Sequence, residues 1–308
     1  LDNVTTVVIM VPITLSLCRS LQLDPIPFLL GEVFASNIGG AATIVGDPPN
    51  IIIASAANIG FTNFINHMLP ISLVSMAILF VLLFVWFRDS VKITAVSRET
   101  VSSLKTSGLI KDRLLLAKSL AIFTLTIVGF FLNGPLGISP AFIALSGAAL
   151  LLLVSKLDPA PILRNIEWTT LAFLVGLFIL VGGVSEAGLL VEFQKFILHI
   201  SGGDDSTLAI LLVFMGGGLS AVVDNIPFTA TMVMVIDDIA PPSTTGAINP
   251  LWWALTMGAD LGGNLTIVGA SANIVVVTVA RANGHKISFM RFLKYGSVIG
   301  VFTLASSV

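Results

Sequence analysis

The sequence predicts an all-α polytopic membrane protein of two inverted repeats, each with a re-entrant helical hairpin and a broken helix. Three observations carry this expectation. The 308 residues are 56% hydrophobic and only 10% charged, with a mean hydropathy of +1.02, where a soluble globular domain carries about 25% charge. The apolar residues fall in continuous runs, several about as long as a helix needs to cross a hydrocarbon core. Two sequence motifs each occur twice, in the same order and at nearly the same spacing.

The composition excludes a water-soluble enzyme, a nucleic-acid-binding protein and a disordered chain. Continuous rather than alternating apolar runs disfavour an outer-membrane barrel. A net charge of −2 points to no charged partner, and the single cysteine, Cys18, excludes a disulfide framework, a cysteine zinc site and a three-thiolate metalloid site. Serine, histidine and aspartate form no catalytic pattern, and there is no phosphate-binding loop. The chain therefore reads as neither an enzyme nor an ATPase.

Taken in order, the full-length span candidates are 70–87, 114–132, 140–155, 168–184, 208–223 and 292–308. Shorter apolar stretches lie at 4–17, 28–36, 43–57, 226–236, 251–259 and 265–280. These are too short to span alone and read as half-helices, re-entrant arms or core helices. The stretch 184–201 carries Glu186, Glu192 and Lys195 and reads as interfacial. Basic residues set the orientation. With two segments turning back inside the membrane, fourteen of the fifteen lysines and arginines fall on one side, taken as cytoplasmic, and Lys195 is the exception.

The first repeated motif is Asp2-Asn3-Val4, echoed by Asp224-Asn225-Ile226. The second is GGAATIVGDPPN at 39–50, echoed by GGNLTIVGASAN at 262–273, with seven of twelve positions identical. The gap from Asn3 to Gly39 is 36 residues and that from Asn225 to Gly262 is 37. Order and spacing together mark an internal repeat. In the first copy the arm after Asp2-Asn3 leads to a loop with Arg19, and the glycine-rich helix exits to a loop without basic residues. In the second copy this is reversed, so the copies are expected to run in opposite directions, the arrangement found in secondary transporters.

The domains follow from the repeat. Residues 1–110 would be the C-terminal part of the first repeat: a hairpin arm, a broken helix, one span and a cytoplasmic linker at 88–113. Residues 111–308 would be the second repeat: scaffold spans, a hairpin with its tip near 224, a broken helix over 251–280 and a last span. By this logic about 110 residues of the first repeat are expected ahead of Leu1.

A carboxylate inside an apolar segment costs about 2.5–3.5 kcal/mol at mid-bilayer and persists where it faces a cavity, an ion or a proton path. Asp2 and Asp224 read as such groups, although either alone also suits a helix N-cap. Asp47-Pro48-Pro49-Asn50 cannot continue a helix without freeing carbonyls. Freed carbonyls, with Thr43, Asn50, Thr266, Ser271 and Asn273, are oxygen ligands for sodium or polar contacts for a substrate. Gly39, Gly40, Gly46, Gly262, Gly263 and Gly269 bracket these stretches, and close helix packing is their alternative reading. Asn264 extends the second set. Asn37 and Asp260 occupy equivalent places before the two glycine pairs, so a carboxylate stands there in one half only. Gly216-Gly217-Gly218 reads as tight packing and Trp252-Trp253 as an interfacial belt. His67, His199 and His285 fall in connections and form no ligand pattern.

The motifs LDNVTTVVIMVPIT (1–14), EVFASNIGGAATIVGDPPNIII (32–53), VDNIPFTATM (223–232) and GADLGGNLTIVGASANIV (258–275) resemble the ion transporter superfamily. The likeness is to its branch of arsenite permeases, NhaD-type sodium–proton antiporters and the melanosomal P protein, most of all to bacterial arsenical pump membrane proteins of the ArsB-like kind. The resemblance implies hairpin tips at Asp2-Asn3 with Thr5 and at Asp224-Asn225 with Thr229, and unwound loops at 39–50 and 262–273. It further implies a homodimer in a bacterial plasma membrane, a soluble ATPase subunit as an optional partner, and coupling to H+ or Na+ without a cofactor. Dicarboxylate and citrate relatives carry Ser-Asn-Thr at the tips. Here the tips are Asp-Asn-Val and Asp-Asn-Ile, which would repel a di- or tricarboxylate. Proton-coupled arsenite or antimonite efflux is the expected function. Sodium–proton antiport, citrate–cation transport and, remotely, a channel are the alternatives.

Overall fold

The computed structural model describes residues 2–88, 112–164, 166, 168–241 and 248–308. Most of the linker expected at 88–113, and part of the loop after the second hairpin arm, lie outside these. Among the described residues every regular element is a helix, and no strand occurs. Two packed units divide the chain: Leu1–Ile59, Phe64–Ser102 and Leu177–Val308 form the first, Gly60–Asn63 and Ser103–Gly176 the second.

The first unit contains the repeated motifs. Helix α1 (Asn3–Leu21) starts where the Asp2 side chain accepts the Thr5 N–H, and ends at Gln22 in the left-handed region. It is 19 residues long and apolar enough to span, where the sequence suggested a shorter arm; it simply continues past the apolar run to Arg19. Helix α2 (Ile26–Gly40) begins after Pro25, and α3 (Pro48–Ala56) begins at the two prolines, which suit a first turn. Between them the chain turns through 41–47 instead of continuing the apolar run expected at 43–57. Helix α4 (Phe61–Phe87) is 27 residues long, because Pro70 is accommodated inside it rather than starting it.

The second unit contains α5 (Arg113–Phe131), α6 (Asn133–Leu136), α7 (Pro140–Ser155), α8 (Pro159–Arg164) and the start of α9 (Trp168–Glu186). Phe61 stacks on Phe130, with ring centroids 5.1 Å apart, and meets Phe131 edge-on. Gly129 lies under Ile143 and Gly147 under Thr126, where any side chain would collide. Helix α7 has 16 residues, about 24 Å at 1.5 Å per residue. Its bounds are those of the apolar run at 140–155.

The rest of the chain returns to the first unit. Helix α10 (Leu189–Ser201) follows α9 after a bend of 74°. Gly188 permits the bend at φ +74. On α10, Glu192 and Lys195 pair at 2.8 Å on an exposed face while Leu190 and Ile197 are buried. Asp204, outside the spans, caps α11 (Asp205–Val223), and the hydrogen bonds of Thr207 hold its carboxyl below the usual range. After Asp224 come α12 (Asn225–Ile239), α13 (Pro250–Gly262), α14 (Ser271–Ala282) and α15 (Phe289–Ser306).

Two contacts show the inversion. Arg291, after the second broken helix, lies 3.9 Å from Asp24, after the first hairpin arm. His67, after the first broken helix, stacks at 4.5 Å on Trp253, after the second hairpin arm. Each end of the unit thus holds non-equivalent loops of the two repeats, as only antiparallel copies allow. These contacts also revise two readings. His67 belongs to helix α4, and Trp252 and Trp253 are buried. The Trp252 indole N–H donates to the Ala240 carbonyl at 3.0 Å.

Large apolar side chains cover the exterior: Phe84 is 68% exposed, Leu145 71% and Leu153 77%. A surface of this kind suits lipid, not water. By length and composition, four helices among the described residues can span, or five if the bent pair is one span. The chain is a multi-pass membrane protein.

Candidate functional site

The two helix breaks are built alike. The Asn50 amide donates to the carbonyls of Gly40 (3.1 Å) and Thr43 (3.0 Å). The Asn273 amide donates to those of Gly263 (2.7 Å) and Thr266 (2.7 Å). Both following helices start from the same extended backbone, φ −148, ψ 141 at Asp47 and φ −151, ψ 143 at Ala270. The Thr43 and Thr266 carbonyls also accept the Gly46 and Gly269 N–H groups, so each asparagine adds bonds that tie the following helix to the break.

The glycines serve backbone packing. A β-carbon on Gly40 would stand 2.8 Å from the Gly46 carbonyl oxygen, and one on Gly269 would stand 2.8 Å from that of Gly263. Gly262 abuts the backbone of Gly217 on α11, as the tight-packing reading of 216–218 expects; Gly39 has open space around it. Gly262 and Gly269 thus approach the backbone of α11, while Gly40, Gly46 and Gly263 close the breaks themselves.

The hairpin tips differ in detail. Asp2 is a half-buried N-cap. Asp224 takes φ +79, rare for a residue with a side chain, and accepts hydrogen bonds from the Ile226 N–H (3.0 Å) and the Ser271 hydroxyl (3.2 Å). Such backbone strain costs about 1–3 kcal/mol and is held where the surroundings require it. Thr5 contributes only its N–H to the cap, and its side chain faces outward. This corrects its placement at the site. Thr229, one turn after Asn225 on the same helix face, is fully buried.

Between the tips and breaks lies a buried polar cluster. Asn3, Asn37, Asp47, Asn50, Asn225, Thr229, Asp260, Asn264 and Asn273 are each 3% exposed or less. The Asn3 amide donates to Asp47 (2.6 Å) and to Asn37 (3.1 Å). Asn225, from the opposite tip, donates to both oxygens of the same carboxylate at 3.3 Å. The Asn37 amide donates to Asn264 (3.0 Å) and Asn273 (2.9 Å). Asp47 thus ties the two tips together, and Asn37 ties the first half to the second break.

The electrostatics are one-sided. Asp47 feels the charges of Asp260, Asp224 and Asp2. Among the described residues no lysine, arginine or histidine is paired with any of the four. The N-termini of α1, α3, α12 and α14 all begin at this cluster, and their partial positive charge offsets some of the repulsion. Asn50 Oδ1, Thr229 Oγ1 and Asn264 Nδ2 are buried without a hydrogen-bond partner among the described residues, and the Asp260 carboxyl lies beside the Asn50 side chain.

The structure therefore gathers most of the residues expected from the motifs. Asp2 and Asp224 cap helices through their side chains, while Asp47 and Asp260 are the deeply buried carboxylates. The structure also adds residues the sequence did not single out. The Ser36 hydroxyl donates to the Asn3 carbonyl at 3.0 Å and that of Ser220 to the Ala259 carbonyl at 2.8 Å. Glu32, on α2, accepts from Thr14 at 2.8 Å. Its charge within an apolar stretch was the available signal.

Inverted halves, broken helices and a buried polar cluster between them are features of membrane transporters. Comparison with known proteins agrees. The chain belongs to the citrate transporter family CitMHS, whose model matches residues 1–258. It is 39% identical over 306 residues to a 46 kDa membrane protein of Mycobacterium leprae, covering 99% of this chain and 71% of that protein. It is 41% identical over 309 residues to an uncharacterized transporter of Mycobacterium tuberculosis, covering 100% and 72%. The P protein of Sus scrofa is 33% identical over 380 residues, covering 96% and 44%. The superfamily and the kinship with the P protein read from the motifs hold; within the superfamily, the matching model is that of citrate transporters.

Proposed function

We propose that the protein is a proton-coupled carrier that exports arsenite or antimonite across a bacterial plasma membrane. One observation supports this most. The site holds four carboxylates and, among the described residues, no basic partner. A substrate carrying several negative charges would meet uncompensated repulsion there. Arsenite is largely uncharged near neutral pH, and its hydroxyls can both donate and accept. The unpartnered Asn264 amide and Thr229 and Asn50 oxygens offer matching contacts. In this reading the carrier needs no cofactor, takes H+ or Na+ as coupling ion and works in the bilayer as a homodimer.

The family description is compatible with a second reading, citrate carried together with cations that cancel the site carboxylates. A substrate panel on the protein in proteoliposomes separates the two. Arsenite, antimonite, sodium, citrate and magnesium citrate would each be offered under an imposed pH gradient. Saturable metalloid flux is the expected result. Citrate flux that requires a cation, with no metalloid flux, would replace the first reading with the second. Sodium-dependent proton flux without metalloid would point to an antiporter instead.

A further inference from the structure

Helices α2 and α13 hold equivalent places in the two repeats, yet only α13 is covered. With Gly39 set against Gly262, the register pairs Pro27 with Pro250, Gly31 with Ala254 and Ala35 with Gly258. Ala254, Gly258 and Gly262 form one stripe of small residues along α13, and all three are buried. Helix α11, the entering arm of the second hairpin, lies on it. A β-carbon on Gly258 would stand 2.7 Å from the Leu212 carbonyl oxygen and 3.1 Å from that of Val213, and Gly262 abuts the Gly217 backbone. On its other side, a β-carbon on Gly217 would meet Leu304 of α15 at 2.6 Å. The arm thus fills the groove between α13 and α15, and small residues let the backbones approach, as they do between helices in a bilayer. On α2 the same stripe is Gly31, Ala35 and Gly39, the first two half-buried and the last exposed. Gly31 and Ala35, with Pro27, Phe28 and the α4 side chains Leu83 and Phe84 among others, line an apolar cavity of about 560 Å³. Helix α4 stands here in the place of α15, each following its own broken helix. The two polar side chains beside the stripe are bonded to α1, Glu32 accepting from Thr14 and Ser36 donating to the Asn3 carbonyl.

We propose that the groove between α2 and α4 is the seat of the entering arm of the first hairpin, an apolar helix that leads directly into Asp2 in the full-length protein. The repeat names the occupant. Helix α11 ends at Val223, directly before Asp224, and Asp2-Asn3 repeats Asp224-Asn225. The mycobacterial relatives extend beyond the matched region, which leaves length for such a helix. Gly217 stands seven residues ahead of Asp224. The residue seven ahead of Asp2 is therefore expected to be glycine, alanine or serine, and a large side chain there would contradict the docking. Within the 308 residues Gly39 has room for a methyl group; in the full-length protein that methyl group would meet the arm.

The test uses the full-length protein in membranes, in a Cys18→Ala background. One cysteine replaces Ala35, and a second is placed eleven residues ahead of Asp2, the counterpart of Val213 beside Gly258. A short bifunctional maleimide is expected to join them within one chain. After cutting at a protease site inserted beside the exposed Gln22, the two pieces are then expected to stay together. A cysteine at Leu73, 61% exposed on α4, paired with the same upstream cysteine is the control and is expected not to join. A cross-link between two chains would assign the groove to a second copy and overturn the proposal. No cross-link, with the Ala35 cysteine labelled freely by a lipid-soluble maleimide, would leave the groove to lipid and overturn it equally. Gly31→Cys with a cysteine one turn earlier on the arm is the second pair if the first does not fold. Independently, Gly39→Ala in the full-length protein is expected to lower the thermal midpoint as Gly262→Ala does, and an unchanged midpoint would overturn the docked arm.

Discussion

Asn273 makes three side-chain hydrogen bonds that close the second helix break and hold Asn37 in place. Its replacement by alanine would leave the Gly263 carbonyl without its side-chain donor and the Thr266 carbonyl and Asn37 amide each one bond short, at about 1–3 kcal/mol for an unmet group. Asn273→Ala is expected to lower the thermal midpoint in detergent by several degrees; an unchanged midpoint would show that these bonds do not carry the break. At this scale the sequence was partly legible. Repetition marked the asparagines and aspartates as a set, because chance does not place the same polar residues twice in apolar segments. It could not rank the four aspartates. Whether a carboxylate caps a helix, as at Asp2, or is buried inside the fold, as at Asp260, depends on which side chains other elements bring to it.

Among the elements, α11 and α13 depend on glycine for their contact. Gly217 lies against Gly262, and a β-carbon on Gly258 would stand 2.7 Å from the Leu212 carbonyl oxygen. Gly262→Ala is expected to destabilise by about 1–3 kcal/mol through overpacking against backbone. In the 308-residue chain Gly39→Ala, at the equivalent place on α2, has open space and is expected to be neutral or mildly stabilising through helix propensity. Chemical or thermal denaturation of the two variants side by side checks the contrast, and equal effects would contradict it. Apolar runs located the helices well, but their ends less so. Helix α1 outran its apolar run to reach Arg19, and Pro70 was absorbed inside α4. Capping and tertiary packing decide such ends, and neither is visible in local hydropathy.

For the whole molecule, inversion was legible because basic residues mark sidedness and the repeat marks equivalence. The Asp24–Arg291 and His67–Trp253 contacts now give it a physical form. Single cysteines at Asp238 and Asn283, both exposed, in a Cys18→Ala background, are expected to label from opposite faces of the membrane. Labelling from the same face would contradict the inversion. Substrate identity was not legible at this scale, since a small set of distances within one buried cluster decides it.

The central claim is that the buried carboxylates couple a proton gradient to solute movement. The most direct measurement is arsenite flux driven by a pH gradient in proteoliposomes, comparing wild type with Asp47→Asn, the group that joins both hairpin tips. The account predicts saturable, gradient-driven flux in the wild type and a loss of about tenfold or more in the variant. Equal gradient-driven flux in the two proteins would contradict it.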